Sequence, residues 1–244
     1  SHHQDMSGWP SYWDGMPPMY NATHAIGPTL GVGGHQAESV QALGSGSVFE
    51  SMKAQYGSPY AIESTHIRFL GSDVGAEVTR HLWAVAREYR ESFDVYGAVR
   101  SFEWSQTEAG SHLIYVGEDV HPIEVPDFAD RLPPEIQAFT RAGVYGEGED
   151  AESHRSFVQG GGHGGSHPHL AHQLLMAVLG EAEASPDAVQ AANITVAGIL
   201  SHASAMAGGE RIPLPEWTLS DRRPFEVVLD DTVQPAWKNE ASVM

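Results

Sequence analysis

Cysteine is absent from the 244 residues. That excludes disulfides, a thiolate nucleophile and a cysteine-based zinc site. Basic residues are scarce: 13 Lys and Arg stand against 32 Asp and Glu, for a net charge of −19. A nucleic-acid binder needs a basic face for the phosphate backbone, and this balance argues against one. It suits a small neutral or cationic ligand. No apolar run approaches the roughly 20 residues of a membrane-spanning helix. No secretory leader is read at Ser1, and a cytoplasmic location is expected. There is no Gly-x-Ser-x-Gly elbow, no P-loop and no strand–Gly-x-Gly-x-x-Gly–helix unit. The sequence therefore shows no dinucleotide-binding half of its own.

What is present reads as one domain over 1–244, with 41% hydrophobic and 18% charged residues. Residues 1–18 are aromatic, polar and cut by Pro10, Pro17 and Pro18, and read as an entry loop. A short helix is predicted over 19–33 from the spacing of Met19, Ala22 and Ile26, with Pro28 limiting or kinking it. From 38 to 125 short β-branched and aromatic runs follow one another, cut by Gly and Asp, with no helical pattern between them. That implies one mainly antiparallel sheet. Residues 143–165 are rich in Gly and acids and are expected to form a loop. Helices are predicted within 166–208. The first covers 167–179, with Leu170, Leu174, Leu175 and Val178 inward and Gly180 as its stop. The second covers 186–207, with Ser185 as cap and Val189, Ala192, Val196, Ile199, Leu200 and Ala203 as its buried stripe. Residues 209–244 are a C-terminal tail. The fold class is α+β: an open, mainly antiparallel sheet covered on one face by helices. The other face is expected to carry apolar side chains for a second copy of the chain.

Two places bring titratable groups into core-like patterns. His24 lies within "PPMYNATHAIGP". It reads either as a buried, hydrogen-bonded histidine or as a general acid/base near neutral pH. In "GGGHGGSHPHLAHQ", residues 160–173, five glycines and four histidines share fourteen positions. His163, His167, His169 and His172 could bind zinc or manganese, cap and pack a helix, or meet a hydroxyl or anionic ligand at its first turn. Trp9, Tyr12 and Trp13 could floor a sugar ring or form a core edge or an interface. Asp94, Tyr96 and Glu88 are read as alternating along a strand.

The ordered set "PPMYNATHAIGP", "FDVYGAVRSFEW", "GGGHGGSHPHLAHQ" and "DAVQAANITVAGILSHASAMAGGERIPLPEW" resembles the C-terminal domain of the Gfo/Idh/MocA oxidoreductases, the family of glucose–fructose oxidoreductase and inositol dehydrogenase. The resemblance covers nearly the whole chain. It implies an NAD- or NADP-dependent oxidoreductase of a sugar or polyol. The cofactor would be bound mainly by a Rossmann domain, in cis or in trans, that this chain does not contain. His24 would be the acid/base, and Trp13, Tyr20, Asn21, His163 and His167 would line the substrate. The domain would also form a homo-oligomer through its sheet. Asn21 stands where the family has a tyrosine three residues before the histidine, and Ile194 stands where a tryptophan is common. Other readings are an NAD-dependent glycoside hydrolase on the same scaffold, a cofactor-less assembly subunit, and a metal-dependent sugar isomerase or lyase using the histidine cluster. The resemblance favours substrate handling over metal, and no metal site is assigned.

Overall fold

The computed structural model describes residues 14–21, 23–33, 36–83, 85–86, 91–107, 110–140 and 161–217. Proline-rich entry leads into a 3-10 turn, Pro18–Asn21, and then helix α1, Thr23–Gly33. The helix continues through Pro28, which lies inside it and cannot donate to the carbonyl of His24. Strand β1, Ala37–Ser45, is followed by a short helix α2, Glu50–Tyr56, which the sequence reading did not separate from the strands. Strands β2, Ile62–Phe69, and β3, Gly75–His81, form a hairpin. Its turn uses Gly71 at φ 66°, a left-handed conformation that glycine adopts freely. Then come β4, Arg100–Glu103, β5, His112–Val116, and β6, Asp119–Ile123. A short helix α3, Pro134–Gln137, runs into a 3-10 turn, Ala138–Thr140. Helices α4, Gly161–Val178, and α5, Ala188–Met206, precede a two-residue strand β7, Ile212–Pro213.

The α+β class and the open antiparallel pairing hold. The strands divide between two sheets, however: one ordered β3-β2-β1-β7 and one ordered β4-β5-β6. Inward side chains of the larger sheet alternate, as in Glu63, Thr65, Ile67 and Phe69 of β2. Ile67 and Phe69, with Val40 and Val78, meet Ile26 and Leu30 of α1 and Ala197 of α5 in the main core. A smaller cluster joins Val48, Ala61 and Trp83, whose indole N–H donates to the carbonyl of Met16 at 2.9 Å. The opposite face of the larger sheet is mostly polar: Gln41, Ser64, His66, Arg68, Glu77, Thr79 and His81, beside one exposed leucine, Leu43. The apolar face expected for a second copy is not found there.

Helix α5 corrects the sequence reading most plainly. Its buried face is Asn193, Ala197, Gly198, Ser201, His202, Ser204 and Ala205, rotated from the predicted stripe, and Ile199 is exposed. Small residues let the helix lie close on β1, and their polar atoms then complete hydrogen bonds that the sheet leaves open. Asn193 Oδ1 accepts from Ala37 N–H at 2.8 Å, and Ser204 Oγ accepts from Ala42 N–H at 2.8 Å. Ser201 donates to the carbonyl of Ala197 at 2.7 Å and lies 2.9 Å from Thr65 Oγ1. The cap is Asp187, not Ser185: its carboxylate accepts from Gln190 N–H, and the Gln190 side chain accepts from Asp187 N–H. Gly208 and Gly209, both at positive φ, follow the end of the helix.

Helix α4 begins at Gly161, so the predicted loop over 143–165 is helical from that residue; 141–160 lie outside the described residues. Leu170, Leu174, Leu175 and Val178 are exposed rather than inward. Among the described residues α4 packs mainly on the 3-10 turn Ala138–Thr140, not on the sheet. No described helix is long and apolar enough to cross a membrane.

Candidate functional site

Two imidazole–carboxylate pairs flank the segment Pro18–Gly33. The outer one is His24 on α1. Its Nδ1 lies 2.6 Å from Oε1 of Glu91, a residue that sequence reasoning passed over. Both side chains are partly open, 33% for His24 and 40% for Glu91. The carboxylate fixes the neutral ring with its proton on Nδ1, leaving Nε2 as the basic nitrogen. An oriented, partly exposed imidazole of this kind can take and return a proton.

The inner pair is buried. Glu63, inward on β2, places Oε1 2.6 Å from His202 Nδ1 and accepts from Met19 N–H at 2.8 Å through Oε2. Arg80 on β3 is its cross-strand partner in register and is buried with it. Above this group Tyr20 sets its ring edge-on to His202, with centroids 5.1 Å apart and planes at 81°. The same ring is perpendicular to Tyr56 at 6.4 Å. One signal for this pair was legible: "YAIESTHIRF" places a carboxylate at an inward position of an alternating strand.

Of the residues expected to line one pocket, Tyr20, Asn21 and His24 lie together in the turn and first helix. Tyr20 is partly exposed and Asn21 half-buried. Trp13 lies outside the described residues, as do Trp9, Tyr12 and Glu88. His163 is in α4, with its side chain outside the described residues, and His167 is exposed on the same helix. Among the described residues α4 packs mainly on the turn Ala138–Thr140, whereas α1 packs on α5 and β3. The loop through which His163 was to reach a ligand is, from Gly161, a helix. Among the described residues no three His, Asp or Glu side chains gather as metal ligands. Asp94 serves the smaller sheet, where its carboxylate accepts from Trp104 N–H at 2.8 Å.

No family model matches the chain, and no curated protein does. Among solved structures, an oxidoreductase from Sinorhizobium meliloti is similar at a TM-score of 0.48 and 16% identity, over 78% of this chain and 51% of that one. An aldose-aldose oxidoreductase from Caulobacter crescentus, complexed with glycerol, is similar at 0.46 and 10% identity, over 82% of this chain and 52% of that one. Both are oxidoreductases. The likeness is a weak one, at the level of the fold, and this chain spans about half the length of each.

Proposed function

We propose that this chain is the substrate-binding half of an NAD(P)-dependent oxidoreductase acting on a sugar or polyol, with His24 as its acid/base. The observation that carries this reading is the His24–Glu91 pair, at 2.6 Å, in the segment whose sequence resembles the acid/base helix of the Gfo/Idh/MocA enzymes. A hydroxyl brought within about 2.6–3.2 Å of Nε2 loses its proton there as the carbon is oxidised, and regains it in the reverse direction. Tyr20 and Asn21, just before the helix, offer an aromatic surface for C–H groups and an amide for hydroxyls. The net charge of −19 favours a neutral polyol over a phosphorylated one.

A dinucleotide does not fit the described residues. Every strand pairing among them is antiparallel, and none forms the strand–turn–helix unit that receives a pyrophosphate. NAD or NADP belongs, in this reading, to a Rossmann domain in cis or in trans, and the hydride chemistry belongs to that cofactor. The test is polyol-dependent reduction of nicotinamide by the chain together with its Rossmann domain, followed by absorbance. His24→Ala should abolish most of it, and unchanged turnover in that variant would sink the assignment.

A further inference from the structure

The proton-handling role of His24 makes no use of the carboxylate buried beneath the turn that leads to it. Glu63 is fully buried at 0% exposure. A carboxylate is tolerated there only when its oxygens are engaged. Both are, and by elements remote from each other: Met19 is 44 positions away in sequence and His202 is 139. The four-residue turn Pro18–Asn21 buries Pro18 and Met19, the latter in the main core, and its backbone direction is set by few hydrogen bonds. Its internal bond runs from Tyr20 N–H to the carbonyl of Pro17 at 2.9 Å. The carboxylate holds this turn from below, and the imidazole of His202 holds the ring of Tyr20 from the side.

Resting on the reading that Tyr20, Asn21 and His24 face the substrate, the geometry points to Glu63 and His202 as positioning residues that anchor the substrate-facing turn to the sheet and to α5. Neither needs to touch reacting atoms. Glu63 sets where the turn lies, and so where Tyr20 and the start of α1 meet a polyol. His202 ties that carboxylate to the last helix and seats the Tyr20 ring. A purely structural role in the core would instead spread the effect of their loss through the whole sheet.

Hydrogen exchange on the full chain, read by mass spectrometry, separates the two. In Glu63→Ala, exchange across 16–33 should rise about tenfold or more, as for release of a local unit, while β1 and β2 stay protected. Glu63→Gln keeps an amide oxygen for Met19 N–H and should restore most of the protection. No change over 16–33 in a folded Glu63→Ala chain overturns the anchoring role, and so does an equal rise in every segment. If Glu63→Ala does not fold, His202→Gln decides by the same criteria. D-Glucose titration of the same chains, followed by amide chemical shifts, adds the functional readout. A roughly tenfold weaker affinity in the loosened variant supports positioning, and equal affinities overturn it. Failure of the wild-type chain to bind glucose counts against the substrate reading alone, because the exchange result does not depend on a ligand.

Discussion

An imidazole held at Nδ1 by a carboxylate keeps one basic nitrogen, and the two histidines held this way differ in what surrounds them. His202 and Glu63 are 10% and 0% exposed, whereas His24 and Glu91 are 33% and 40% exposed. The open pair is suited to exchange protons with a ligand and the closed pair to hold structure. Under the proposed function, His24→Ala should lower kcat by about 10²–10⁴-fold, measured by steady-state reduction of nicotinamide with the Rossmann domain present. Glu91→Gln should lower it less. A carboxamide can donate to Nδ1 and so favour the wrong tautomer in part of the population. Tyr115 makes a separate prediction. Its hydroxyl donates to Glu103 at 2.7 Å, and this bond, followed by burial and the negative charge of Glu103, raises the phenol above its ordinary value of 10.0. A raised value in the folded state means that the contribution to stability is complete below the ordinary tyrosine range and is lost as pH climbs through the raised value. Tyrosine-ring carbon spectra should show Tyr115 ionising late, and Glu103→Gln should bring it back toward ordinary behaviour.

At the scale of elements, α5 shows why hydrophobic pattern alone misplaces a face. A helix that lies close on a strand buries small residues and hydrogen-bonding side chains, and these leave no apolar period to read. Asn193→Ala would leave Ala37 N–H buried without its acceptor, and should cost about 1–3 kcal/mol, seen as a lower urea midpoint. Helix α4 is the reverse case. Its leucines at 170, 174 and 175 have the spacing of a buried stripe, and Leu174 is nevertheless 68% exposed. Leu174→Glu in the isolated chain should leave the urea midpoint within about 0.5 kcal/mol of the original. Strand existence and the helix that contains His24 were legible because each rests on a local pattern. The division into two sheets and the Glu91 partner of His24 were not legible, and of the Glu63–His202 pair only the inward carboxylate was, because the partners are brought together over 67 positions for His24 and Glu91 (91 − 24) and 139 for Glu63 and His202.

At the scale of the whole molecule, the described strands form two open sheets in which every pairing between strands is antiparallel. Titration of the chain alone with NADH, followed by nicotinamide fluorescence, should give no saturable binding in the micromolar range. Saturation there would mean that the cofactor is held by surfaces other than a parallel strand–turn–helix unit.

Strand β3 is the outermost strand of the larger sheet among the described residues, and it turns Arg80 inward. An inward charge on an edge strand makes that edge a poor template for further pairing. A fibre growing by strand addition at β3 would have to carry a guanidinium into the interior of each new layer. The cluster beneath the candidate site therefore also bears on the protein as a solute, setting how readily concentrated molecules join edge to edge.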